Sequence, residues 1–181
     1  MGGLARFALG LVATVGALAA VLLVFVFELR TATGAEEPTV WLVDRGRRLR
    51  VGDLAVCTHR GQVVTARVAA GANQALALRG NLLFIGGEPV ERRPCRPGEL
   101  EGRARDRCFV ERRGERSWIV VAPPVGRTVD LEVSVPAGTV YLLDDDRAAI
   151  DRDSRTLGPV VREDCRSVAA TLTPGKLTVR P

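Results

Sequence analysis

The stretch "ALALRGNLLFIGGEPV", Ala75–Val90, decides the fold class. Its apolar residues come in short runs, and each run stops at a turn signal, first "RGN" and then "GG". Glycine and asparagine accept the positive φ of tight hairpin turns, so the pattern predicts antiparallel strands joined by short connections. The same rhythm continues on both sides. Upstream lie "LAVC" and "QVVTARVA"; downstream lie "RCFVERRGERSWIVVAP", "VDLEVSVPAGTVYLL" and "KLTVR". Helical periodicity is scarce after the N-terminus, and no internal repeat is evident. The expectation is a mainly β domain over residues 28–181, long enough to bury a core. One segment departs from the rhythm. "ERRPCRPGELEGRARDR", Glu91–Arg107, is polar and rich in Pro and Gly, and reads as a long loop or small inserted lobe.

A short tail, residues 1–6, precedes "FALGLVATVGALAAVLLVFVF", which runs from Phe7 to Phe27 without a charge. About 20 apolar residues suffice to cross a bilayer as a helix, whereas a cleavable signal peptide usually has a core of roughly 7–15. A retained transmembrane anchor over 7–27 is therefore expected, although the small residues of "TATGA", Thr31–Ala35, also offer a place for processing. Arg6 lies before the span and Arg30 after it, so charge hardly fixes the orientation.

Of 26 basic residues only Lys176 is lysine, and the net charge is +5. The arginines are interspersed with acids, and aromatics make up 4% of the chain, too few for a base-stacking platform; nucleic-acid binding is not expected. Cys57, Cys95, Cys108 and Cys165 form no C-x-x-C pair and have a single histidine, His59, for company, which argues against a zinc site. No metal or cofactor is expected. Four cysteines are compatible with two disulfides, Cys95–Cys108 being the easier pair, or with four free thiols.

Four segments, in order, resemble the type I signal peptidases, membrane-anchored serine peptidases that remove signal peptides outside the cytoplasmic membrane. "GAEEPTVWLVDRGRRLRVGDLAVC" resembles their Ser-Met-x-Pro-Thr box and the later Gly-Asp strand, through Pro38, Thr39, Gly52 and Asp53. "VTARVAAGANQALALRGNLLFIGGEPVE" resembles the Lys-Arg-Val box and its following hairpin, through Arg67, Val68, Gly87, Pro89 and Val90. "VPAGTVYLLDDDR" is similar to the approach to the Gly-Asp-Asn-Arg box and keeps Asp145 and Arg147. "DSRTLGPVVRED" is similar to the Asp-Ser-Arg-x-x-Gly-x-Val run that follows, through Asp153, Ser154, Arg155, Gly158 and Val160. The resemblance implies hairpins around a coiled sheet, with Asp145, Arg147, Asp153, Ser154 and Arg155 as a structural corner beside the site. It also implies a single-pass protein of the cytoplasmic membrane with its domain on the extracytoplasmic side.

The family's chemistry is a serine nucleophile activated by a lysine kept neutral through desolvation. Carried over residue by residue, the serine falls on Ala35 and the lysine on Ala66. Neither can attack a carbonyl or take a proton. The serines, Ser117, Ser134, Ser154 and Ser167, lie far from the membrane-proximal box, and Arg67 is no base because a guanidinium stays protonated. Thr33 lies two residues early, about 6–7 Å away along a strand. Between Arg147 and Asp153 the chain carries one residue more than the family pattern, so Ile150 or Asp151 stands where a serine is expected. Other constellations are weaker: "CTHRG" around His59 reads as a strand end entering a turn, and Glu36 and Glu37 face opposite sides of a strand.

What can survive loss of the dyad is the groove. In the family, extended segments flank a substrate held as an added strand; here they are Thr33, Gly34, Ala35 and Glu36 on one side and Thr65, Ala66 and Arg67 on the other. The expected function is that of an inactive relative that binds signal peptides or pre-proteins, or accompanies an active signal peptidase. The alternatives are an active peptidase with another nucleophile and a purely structural envelope domain.

Overall fold

The computed structural model describes residues 27–31, 40–99, 107–173 and 176–179, and these are mainly β. Each expected run is a strand. In chain order these are β1 (Phe27–Thr31), β2 (Val40–Asp44), β3 (Leu54–His59), β4 (Gln62–Ala70), β5 (Ala75–Arg79), β6 (Leu82–Ile85) and β7 (Glu88–Pro89). They continue with β8 (Glu91–Pro94), β9 (Cys108–Arg113), β10 (Arg116–Val121), β11 (Leu131–Ser134), β12 (Thr139–Leu143), β13 (Val160–Val161), β14 (Cys165–Thr173) and β15 (Lys176–Val179). One short helix, α1 (Ser154–Leu157), follows a 3-10 turn at Ile150–Arg152. The expected anchor, apart from Phe27 in β1, and the tail before it lie outside the described residues. Among those described, no helix is long and apolar enough to cross a membrane.

The chain divides into two compact units. The smaller contains β1 and β2, paired antiparallel from Phe27↔Asp44 to Thr31↔Val40, and the end of β14 with β15, paired over Ala170–Thr173 and Lys176–Val179. In β2 the alternation is direct: Trp41 and Val43 are buried.

The larger unit, Arg48–Ser167, holds three sheet regions. One runs from the first residues of β14 through β3, β4 and β12 to β13; a second is β10-β9-β8; the third is β11-β5-β6-β7. The turns are those the sequence signals. Arg60 and Gly61 (φ 50° and 78°) close β3 onto β4, and Gly80 and Asn81 (φ 56° and 70°) close β5 onto β6, both central residues taking the left-handed conformation that two-residue hairpins require. Two apolar clusters form the core. Leu76, Leu83, Ile85, Trp118, Val120 and Leu143 anchor the larger, and Ala55, Ala66, Val68, Leu142 and Val160 lie in the other.

The polar segment expected as a loop begins instead as a strand. Glu91–Pro94 pairs antiparallel with β9, from Glu91↔Arg112 to Pro94↔Phe109. The reason is that an arginine does the work of an apolar residue there: the Arg92 guanidinium lies 3.8 Å from the centroid of the Phe109 ring. The Cys95–Cys108 disulfide ties the strand's end, and Arg93 then grips Glu99 through two hydrogen bonds of 2.8 and 2.6 Å. That grip, with a further bond from the Arg96 N–H, brings the Glu99 carboxyl down to a pKa of about 2.

Candidate functional site

Strand β4 carries the site, because its two edges are used unequally. Strand β3 pairs with it from His59↔Gln62 to Leu54↔Arg67, whereas β12 meets it only at Arg67, Val68 and Ala70. Among the described residues, no strand is paired with the second edge of Gln62–Ala66. The 3-10 turn Ile150–Arg152 lies nearby, with Ile150 and Asp151 exposed.

Ala66 points into the smaller apolar cluster, 2% exposed, beside Ala55, its register partner on β3, with Val64, Val68 and Leu142. Cys57 and Cys165 belong to the same cluster and are joined by a disulfide. Nothing in this lining can give or take a proton. It is the kind of surrounding that would strip water from a lysine and lower its pKa. Thr65, paired with Val56, faces the other way and is partly exposed.

Arg67 is next in the strand and therefore turns to the opposite face. It is buried, and it forks onto Asp145 with bonds of 2.6 Å from Nε and 2.5 Å from NH2, while NH1 donates 2.7 Å to the Gly52 carbonyl. So the second and third boxes of the resemblance meet through a bidentate ion pair, and the Gly-Asp strand joins them. Trp118 completes the arrangement, with the Arg67 guanidinium 5.9 Å from the centroid of its ring.

Gly52 has φ +88°, and a Cβ there would lie 2.8 Å from Trp118 Cζ3. Trp118 is buried and cannot swing aside. A Gly52→Ala change combines a disfavoured backbone with overlap, and is expected to cost about 1–3 kcal/mol, read as a lowered thermal midpoint of the full chain. Asp53 beside it accepts the Arg50 N–H at 2.8 Å and pairs with Arg116.

The corner is a dense network rather than a solvated turn. Asp153 is fully buried; its Oδ2 accepts the Asp144 N–H at 2.9 Å and Arg155 NH2 at 2.6 Å, and its Oδ1 accepts the Arg155 N–H at 2.9 Å, capping α1. Ser154 Oγ accepts the Leu142 N–H at 2.9 Å, a structural bond that ties α1 to β12. Arg155 NH1 donates 2.6 Å to the Arg147 carbonyl. Burial first, then neighbouring Asp145, Asp153 and Asp146, raises the Asp144 pKa. Burial, reinforced by Asp153, pushes Tyr141 up to about 12.

Asp145 joins Arg67 rather than the corner's own arginines, and Arg147 turns away to Glu111, NH2 to Oε2 at 2.7 Å, with both side chains buried. Trp118 Nε1 donates to the same Glu111 oxygen at 2.9 Å. Glu111 is the important residue that the sequence reading missed. The neighbouring strand offered the clue: in the β9–β10 hairpin Glu111 faces Trp118 while Phe109 faces Val120, so a carboxylate sits among apolar residues.

No family model matches the chain, and no curated protein matches it either. The site therefore rests on its own geometry. Thr65, Ala66 and Arg67 are brought to one strand, and Arg67 to Asp145; Thr33, Gly34, Ala35 and Glu36 lie outside the described residues. Of the two alternatives left open for the cysteines, the structure has the bridged one, with Cys95 joined to Cys108 and Cys57 to Cys165.

Proposed function

We propose that this protein is a membrane-anchored relative of the type I signal peptidases that has lost the dyad, and that it binds extended peptides such as signal peptides. The observation that carries the proposal is the second edge of Gln62–Ala66, paired with no strand among the described residues, beside an Ala66 that is buried in apolar surroundings. An extended peptide can add to such an edge through main-chain hydrogen bonds, with small side chains selected by shallow depressions. The Arg67–Asp145 fork supports the same reading, because it fixes the strand's orientation where the resemblance places it.

The test uses the full-length chain in detergent with a fluorescent signal peptide. Binding without cleavage is expected, and it should vanish when alternate backbone nitrogens of the peptide are methylated. An Ala35→Ser/Ala66→Lys double variant should gain cleavage, since a lysine at 66 enters a desolvating pocket. Cleavage by the unaltered chain would refute the loss of activity. Absence of binding would leave a structural domain.

A further inference from the structure

The segment "RGRRLR", Arg45–Arg50, puts four arginines and no acid into six residues. Its place follows from β1 and β2. The uncharged run Phe7–Phe27 ends where β1 begins, and β1 leads away from that point to Thr31. Strand β2 runs antiparallel and returns, so that Asp44 is the register partner of Phe27. Partners in an antiparallel ladder have Cα atoms about 5 Å apart. The arginine segment therefore starts where the apolar run stops. Chain connectivity alone keeps the Arg48 Cα within about 4 Å, and the Arg50 Cα within about 11 Å, of the Arg47 Cα.

The segment is held in place. Asp44 Oδ1 accepts the Gly46 N–H at 2.8 Å and the Arg47 N–H at 3.0 Å, which turns the chain as β2 ends. At the far end Asp53 Oδ2 accepts the Arg50 N–H at 2.8 Å. Between them Leu49 packs against the smaller apolar cluster. Both flanking carboxylates are thus engaged with the backbone, while Arg45, Arg48 and Arg50 are exposed. Among the described residues, neither the Arg48 nor the Arg50 guanidinium meets an acceptor. A backbone already fixed loses little freedom when a ligand arrives.

We propose that Arg45–Arg50 binds the phosphate headgroups of anionic phospholipids at the membrane surface where the apolar run ends. The placement rests on the membrane anchoring in the proposed function. Basic side chains feel an anionic surface within a Debye length, about 8 Å at physiological salt, and the Phe27↔Asp44 register brings the start of the segment within that reach. Guanidinium groups take phosphate oxygens in pairs, and a lipid surface offers many phosphates side by side, which suits several arginines in a row better than one small anion does. The segment has no aromatic residue on which the bases of a nucleic acid could stack.

The experiment places a fluorophore on the segment. All four cysteines are bridged, so Gly46→Cys supplies a single free thiol. Gly46 is exposed, and the nearest atom to an added Cβ is Asp44 Oδ1 at 3.7 Å. The labelled full chain is reconstituted in phosphatidylcholine vesicles that carry a nitroxide-headgroup lipid, and phosphatidylglycerol is introduced stepwise. Quenching that rises with phosphatidylglycerol and falls at high salt is expected. Arg48→Gln/Arg50→Gln should raise the phosphatidylglycerol fraction at half-maximal quenching at least about threefold, and Arg48→Lys/Arg50→Lys should hold it within about twofold. Quenching that is absent, independent of phosphatidylglycerol, or unaffected by the glutamine pair overturns the proposal. Alkaline extraction of the same vesicles reads the anchoring separately. A chain that is retained but gives no response to phosphatidylglycerol refutes the lipid contact and leaves the anchoring standing. A chain that is released refutes the anchoring, and the lipid contact falls with it.

Discussion

Replacing Glu111 with alanine is expected to destabilise the protein by about 3–5 kcal/mol, the cost of stranding one member of a buried charge pair. Glu111 and Arg147 are 1% and 4% exposed, so water cannot take over the missing role. Without the carboxylate, Arg147 NH2 and the Trp118 indole N–H both lose their acceptor, while Arg147 Nε already lacks one. Arg147 also receives Arg155 through its carbonyl and donates from NH1 to the Asp144 carbonyl, so the disturbance reaches the corner. For a domain of this size about 2–4 °C is lost per kcal/mol, which puts the drop in midpoint at roughly 6–20 °C. The informative control is a Glu111→Leu/Arg147→Met pair. Removing both charges should recover most of the loss, because the desolvation cost disappears with the attraction. If the single change costs less than about 1 kcal/mol by denaturant unfolding, the pair is not the buried unit described.

The second large effect is expected from Cys57 and Cys165. The two are direct partners in the β3–β14 ladder, buried, and 108 residues apart in sequence. A crosslink closing a loop of about 100 residues removes denatured-state entropy worth roughly 4.7 kcal/mol in the chain-entropy account, and losses of 2–5 kcal/mol are typical when a native disulfide is deleted. A Cys57→Ala/Cys165→Ala variant should fall in that range by chemical denaturation. Cys95→Ala/Cys108→Ala should cost less, since that bridge spans only 13 residues. Equal losses would show that native packing, not loop length, sets the values. Disulfides of this kind persist in oxidising compartments.

The strands and hairpins were readable because alternation and turn chemistry are local. "RGN" and "GG" needed no knowledge of distant residues to mark Gly80–Asn81 and Gly86–Gly87 as turns. Strand β8 was not readable, since a run of Glu, Arg, Arg and Pro has no apolar stripe until Arg92 is seen against Phe109. The site divides along the same line. Ala66 and Arg67 could be placed by resemblance, but nothing local to either indicates that one is buried among aliphatics and the other forks onto Asp145. Long-range partnership defeated the reading in two further places. Four cysteines admit three pairings, and the choice of Cys57 with Cys165 is made by the β3–β14 register. Glu111 looked like one acid in a charged run until Arg147, from a different segment, arrived beside it.

The placement of β3 between β4 and the start of β14 has a consequence for the order of events during synthesis. β3 and β4 form a hairpin that can pair as soon as it exists, yet the other edge of β3 waits for Cys165–Ser167, the last residues of the larger unit to be made. Through that interval the nascent chain presents an unpaired aliphatic edge bearing a lone thiol at Cys57, able to capture another strand or react with another cysteine. Cys95 and Cys108 both emerge before Cys165 does. The correct cysteine partner for Cys57 is therefore the last to appear, and a vectorial route favours a wrong first bridge that must later be exchanged. Faithful maturation of this small domain would then depend on a disulfide isomerase rather than on an oxidant alone.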